Sequence, residues 1–250
     1  MSASFLFDSY AVFGLAAFCA FLVGLSKTGV PGLSLIFSTL MAAVLPAKEA
    51  VALVLLLLIT GDLFALRFYR QHADWPTMKR LMPAVAPGLL LGTWLLNAVS
   101  AAQIRPVLAF MVFGLLLIEL VRMTGLLSRL HRHPAFALAV GSGVGVATVV
   151  GNAAGPLMAL FLILNGLDKR QFMGTSAWFF FVVNVLKVPL LLYIGLMQPQ
   201  VWFSALPLLP FVVVGALLGR RALDLLPQRV FVVLVLAGAF SSALYLLASA

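Results

Sequence analysis

The chain has 250 residues, 64% of them hydrophobic and 9% charged, with a mean hydropathy of +1.16. That composition excludes a water-soluble globular domain, and a lipid-covered backbone that must satisfy its own polar groups implies helices. The net charge of +9 does not mark a nucleic-acid binder, because Lys and Arg fall in short gaps between apolar segments rather than along a tail or stripe.

In chain order, the first apolar segment spans residues 10–25, behind Asp8 and without a basic leader, so we expect it to be retained structure and not a signal peptide. It carries the single cysteine, Cys19, which excludes an internal disulfide. A second short segment covers 33–45, and longer ones follow at 50–66, 81–97 and 106–121. After a basic gap the pattern repeats: short segments at 135–150 and 157–164, then longer ones at 172–194, 201–218 and 230–247. The four short segments are too brief to cross ~30 Å alone, whereas the six longer ones can span. Each short pair is joined by a Gly/Pro-rich break, Gly24-Leu25-Ser26-Lys27-Thr28-Gly29-Val30-Pro31-Gly32 in the first and Gly151-Asn152-Ala153-Ala154-Gly155-Pro156 in the second.

The shared order implies a duplication, and landmarks support it: Pro87 and Gly92 stand 123 residues before Pro210 and Gly215. We therefore expect one membrane domain over 1–250, with repeat 1 at 10–121, a cytoplasmic linker at 122–134 and repeat 2 at 135–247. Basic residues set the sides. Arg67, Arg70, Lys79 and Arg80, the Arg122, Arg129 and Arg132 linker, Lys169 with Arg170, and Arg220, Arg221 and Arg229 are all expected on the cytoplasmic side of an inner membrane. If each short pair is a re-entrant hairpin these assignments agree, against the dissent of Lys48 and Arg105, and the two halves come out inverted. The predicted fold is an all-α polytopic membrane protein of two inverted repeats, each a broken helical hairpin followed by three transmembrane helices. Inverted repeats with interrupted helices near the midplane are a transporter architecture.

The two breaks, together with Gly61-Asp62, Arg67-Phe68-Tyr69-Arg70, Asp74-Trp75, Gly174-Thr175-Ser176-Ala177-Trp178, Asn184 and Lys187-Val188-Pro189, resemble the signatures of the sulfite exporter TauE/SafE family over nearly the full chain. The visible departures are Val30 and Leu33-Ser34, where many members carry more glycine. The resemblance implies secondary transport of small sulfur-containing anions, sulfite, organosulfonates or related carboxylates, driven by the proton gradient.

From the residues themselves, Lys27 is expected at the tip of the first hairpin, where an ammonium in the membrane needs either an anionic ligand or a partner such as Asp62. Thr28, Gly29 and Gly32 would turn backbone N–H groups toward the ligand, helped by the start of the next helix. Asn152 is the matching neutral group of the second hairpin, and Gly155 opens its returning helix ahead of Pro156. Lys187 lies too deep to be loop charge, with Asn184 one turn earlier on the same face; its alternative is to snorkel outward past Tyr193. Thr175, beside Ser176 and Trp178, offers a hydroxyl either to the ligand or to a neighbouring helix. Asp62 is the expected proton carrier, or else the ion-pair partner of Lys27 or Arg67. Glu119 reads as an interfacial partner of Arg122, and Arg129-Leu130-His131-Arg132-His133 as topology rather than a metal site. The expected partners are a small anion, protons and the bilayer, with no cofactor, no metal and no nucleic acid; a homodimer is left open. An enzyme is disfavoured by the lack of His-Glu-x-x-His, of Gly-x-Ser-x-Gly and of any long loop. An anion channel is the stronger rival.

Overall fold

A computed structural model describes residues 6–31, 33–98 and 133–248 and, between them, 110, 112–114, 116–118 and 120. Ten helices, with two short 3₁₀ turns, cover the first three stretches: α1 Tyr10–Thr28, α2 Ser34–Val44, α3 Ala47–Tyr69, α4 Trp75–Ala98, α5 Pro134–Gly151, α6 Gly155–Leu164, α7 Lys169–Tyr193, α8 Pro199–Ala205, α9 Leu209–Leu225 and α10 Gln228–Ala248. No strand occurs among the described residues. Among the described residues, five stretches are long and apolar enough to cross a bilayer: α1, 49–72, α7, the α8–α9 run and most of α10. Their outer faces stay greasy. Leu90, Trp94, Leu206 and Val233 are all more than half exposed, which suits acyl chains and would not suit water.

Local chemistry explains the ends. Ser9 caps α1 by accepting from the Val12 N–H, and Asp168 forms a reciprocal capping box with Gln171 at the start of α7. Asn152 ends α5 in the left-handed region (φ 54°, ψ 27°), while the next N–H, of Ala153, reaches back to Ala147 O. Pro156 then starts α6 where a missing N–H costs nothing. The segment expected as one span at 201–218 is two helices joined by a 3₁₀ turn at Leu206–Leu208, where Pro207 and Pro210 each withhold an N–H.

One expectation needs correcting. The first segment does not stop at residue 25 but stays helical to Thr28, and its 19 residues suffice to cross a bilayer by length and composition. The extra turn is held sideways: the Thr28 hydroxyl donates to Ala216 O (2.7 Å), and the Tyr69 hydroxyl donates to Thr28 O (2.8 Å). The chain breaks at Gly29 instead of Gly24, so Lys27 sits in the last turn of α1 rather than at a hairpin tip.

Three helix pairings organise the rest. α1 lies on α9, α4 on α5, and α3 on α7. The first two are close crossings made by glycine. A Cβ at Gly24 or Gly215 would strike the Val212 or Phe21 carbonyl, and one at Gly88 would come 2.5 Å from Ser142 O. Gly215 and Gly219 on α9, Gly88 and Gly92 on α4, and Gly141 and Gly145 on α5 all repeat at i, i+4, the small-residue spacing that lets membrane helices touch backbone to backbone. In both crossings residue numbers rise together, so the helices run parallel; α3 and α7 run antiparallel, since Asp62 meets Asn184 while Tyr69 meets Gly174. Two hydrophobic cores result. One joins α4, α5, α6, α10 and the first half of α7; the other joins α1, α2, α8, the first halves of α3 and α9, and the end of α7.

Candidate functional site

Polar side chains collect at the seam between these cores. Asp62, in the middle of α3, is fully buried, and its Oδ1 lies 2.6 Å from Lys27 Nζ of α1. Its Oδ2 accepts from Asn184 Nδ2 of α7 at 2.7 Å. Lys27 reaches this position because Gly61 leaves room for its stem: a Cβ there would stand 2.9 Å from Lys27 Cγ. The ammonium also rests 4.3 Å from the centre of the Phe180 ring.

One turn along α7 from Asn184, Lys187 is also fully buried. Its Nζ donates to Thr148 O (2.7 Å), Thr148 Oγ1 (3.3 Å) and Asn152 Oδ1, three acceptors that match the three protons of an ammonium. Among the described residues no carboxylate pairs with it. Snorkelling past Tyr193 is thereby overturned: inward carbonyl and amide acceptors at the end of α5 outbid the distant interface. Both couples, Lys27 with Asp62 and Asn152 with Lys187, join the last turn or C-cap of a short-pair helix to the second half of a long one.

A cavity of about 60 Å³ opens beside them, several times the ~10–15 Å³ that a water requires and enough for an ion of about four heavy atoms. Ser26, Lys27, Asp62, Thr148, Asn152, Ser176 and Asn184 give its polar lining; the apolar part includes Phe37, Leu58, Phe172, Met173 and Phe180, with Gly155 and Ala159 of α6. Lys27 keeps 13% of its side chain accessible while Lys187 keeps none, so Lys27 is the charge a ligand can touch and Lys187 acts through Asn152 and Thr148. Among the described residues no group of His, Cys, Asp or Glu could hold a metal ion.

The structure thus brings together six of the residues singled out in the sequence: Lys27, Asp62, Asn152, Gly155, Asn184 and Lys187. It separates three others. The hydroxyl of Thr28 is committed to Ala216 O and Gly24 O, since it faces α9 and not the cavity. The Gly29 N–H closes the helix on Leu25 O, and its Cα face abuts Gly219, so it presents no free donor. Thr175 accepts from the Asp74 N–H at 2.8 Å and serves the α3–α4 connection; one residue on, and about 100° around the helix, Ser176 takes the cavity position. Arg67 is exposed, and Asp62 pairs with Lys27. Gly32, Arg105, Glu119, Arg122 and 129–132 lie outside the described residues, as does the side chain of Lys48. Thr148 was missed. Its signal was present, since it stands one turn before Asn152 on the same helical face.

A family model for the sulfite exporter TauE/SafE family matches residues 16–246. The chain belongs to that family. No curated protein and no solved structure matches it. TauE/SafE proteins are transporters of sulfur-containing anions in membranes and not enzymes, and the apolar helices make this member a multi-pass membrane protein.

Proposed function

We propose that this TauE/SafE protein is a secondary transporter of small sulfur oxyanions, sulfite or organosulfonates, that binds them in the cavity between α1, α3, α5 and α7 and couples their movement to protons. One observation carries the reading. The buried cluster holds two cations, Lys27 and Lys187, against one carboxylate, Asp62, so it has a surplus of one positive charge beside an ion-sized space. A lone cation in a membrane interior is expensive, and an anionic ligand offsets that cost.

Proton coupling follows from the same count. One negative charge neutralises the loaded site; a dianion such as sulfite fits with one added proton, which Asp62 can share with the ligand. An inner-membrane location with the basic ends of α3, α7 and α9 inside agrees with the distribution of Lys and Arg. The inverted-repeat reading gains support from the helix directions. If α1–α4 answer to α5, α6, α7 and α9, the antiparallel α3–α7 contact is a meeting of equivalents running opposite ways, and the two parallel crossings are each other's counterparts. Cysteines placed at Lys48 and Gly166 should then label from opposite sides; labelling from the same side would sink the inversion.

The direct test is thermal stabilisation of the purified chain by sulfite, thiosulfate, methanesulfonate and acetate, followed by flux in liposomes under an imposed pH gradient. Sulfur anions should raise the melting temperature, and flux should saturate and follow the gradient. Stabilisation by none of them would remove the anion site; unsaturable flux would make the protein a channel, and a preference for acetate would make it a carboxylate carrier.

A further inference from the structure

Asn184 is 1% exposed and lines the cavity, yet only half of its amide is engaged. Its Nδ2 must face Asp62, because a carboxylate can only accept, and this orientation fixes Oδ1 as the remaining group. Oδ1 has no hydrogen-bond partner among the described residues. A buried carbonyl oxygen left unpaired is costly unless the occupant of the cavity donates to it. Asp62 Oδ1 is the other buried oxygen of the lining that accepts no hydrogen bond by geometry, but it is ion-paired with Lys27 Nζ at 2.6 Å and so does not call for a donor on the ligand; Lys27 offers N–H groups, and Ser26 and Ser176 can donate or accept. Together with a surplus of one positive charge, the geometry describes the ligand from two sides.

We infer that the site selects a monoanion that carries its own proton donor, the hydrogensulfite form rather than the sulfite dianion, with Asn184 Oδ1 accepting from the ligand's O–H. This rests on the anion-site reading above and adds where the shared proton sits: on the ligand, with Asp62 ionised between Lys27 and Asn184. The alternative places the same proton on Asp62 beneath a bare dianion, which would leave Asn184 Oδ1 facing sulfite oxygens, acceptor against acceptor. Sulfite itself gives the same overall proton uptake in both cases. Anions of fixed charge separate them.

The experiment measures affinities of the purified full-length chain in detergent for sulfite, methanesulfonate (a monoanion without a donor) and thiosulfate (a dianion), each over a pH series that brackets the second ionisation of sulfurous acid. The inference expects affinity for total sulfite to fall about tenfold per pH unit above that ionisation, methanesulfonate to bind about tenfold more weakly than hydrogensulfite at any pH, and thiosulfate to bind weakest. Asn184→Ala should bring the hydrogensulfite-to-methanesulfonate ratio close to one; the wild-type series stands without it if that variant does not fold. Equal binding of hydrogensulfite and methanesulfonate would overturn the donor reading. Thiosulfate binding that matches hydrogensulfite, or that strengthens as pH falls, would overturn it by placing the proton on Asp62. Binding of none of the three would remove the anion site itself, and the inference with it.

Discussion

Lys187→Met separates the charge of the site from the stability of the fold. Methionine keeps the length of the stem and removes the ammonium. Thr148 O remains satisfied by the Asn152 N–H, and the Thr148 hydroxyl can turn, so the change orphans one buried acceptor, Asn152 Oδ1, at a cost of about 1–3 kcal/mol. Against this stands relief of the several kcal/mol needed to bury an ion without a counter-ion. The two nearly cancel, and stability should change by no more than about 2 kcal/mol in either direction. Anion binding should respond differently. A charge about 6 Å from the ligand at an effective dielectric of about 20 is worth roughly 3 kcal/mol, about 100-fold in affinity. The assays are the melting temperature of the purified chain without anion and a titration with sulfite on the same preparation. Binding retained within threefold would refute the surplus-charge argument, since the site would then hold anions without its uncompensated cation.

Four other substitutions probe neighbouring parts of the same reasoning. Asp62→Asn raises the surplus from one positive charge to two, so it should tighten thiosulfate binding by at least tenfold and leave liposome flux indifferent to an imposed pH gradient; wild-type proton dependence would remove Asp62 from coupling. Lys27→Met leaves the Asp62 carboxylate buried with Asn184 as its one hydrogen-bond partner and should destabilise the chain by about 3–5 kcal/mol, whereas Lys27→Met combined with Asp62→Asn should recover most of that loss. A double variant no more stable than the single one would mean that the pair is not the source. Gly215→Leu forces a side chain into the Phe21 and Leu25 backbone and should abolish a cooperative melt, while Gly14→Leu, whose Cβ meets nothing within 4 Å, should leave it unchanged.

Among the described residues, the order of the helices is legible in the sequence because apolar length is the dominant signal in a bilayer, and most segment limits fall within three residues of the observed ends; the segment expected at 106–121 lies almost wholly outside the described residues. Depth along a helix was less legible. A Gly-containing run reads as a break from Gly24 onward, but Gly24 is there so that α9 can approach, and a helix whose polar last turn is bonded sideways does not unwind. The candidate site divided along the same line. Lys27, Asp62, Asn184 and Lys187 could be found because intramembrane charge and amide are rare enough to need partners, and the i, i+3 spacing of Asn184 and Lys187 gave their common face. Thr28, Gly29 and Thr175 are small polar or flexible residues with two uses, ligand contact or helix contact, and only the rotation of α1 and α7 about their axes decides between them. For α1 that rotation is set by the glycine crossing with α9, which joins residues 188 or more positions apart and has no local signature.

Those crossings also explain why the charged cluster occupies a seam. Parallel pairs welded through backbone contact, α1 with α9 and α4 with α5, have little freedom to slide without separating glycine-to-backbone contacts. The α3–α7 interface between them is joined near the site by polar bonds, Asp62 with Asn184, and near one end by the Thr175–Asp74 link. Rearrangement should therefore fall where Lys27 crosses from one core to Asp62 and Lys187 crosses to the end of α5; a ligand can compete directly for the bond of Lys27 and reaches Lys187 through Asn152 and Thr148, which line the cavity. An anion in the cavity gives Lys27 a second partner and neutralises the surplus that Lys187 creates, so loading alters the electrostatic cost of the seam and leaves the two glycine-welded cores intact. Ligand binding can bias two arrangements of a bundle only through such a differential term. Here that term is the uncompensated charge of Lys187.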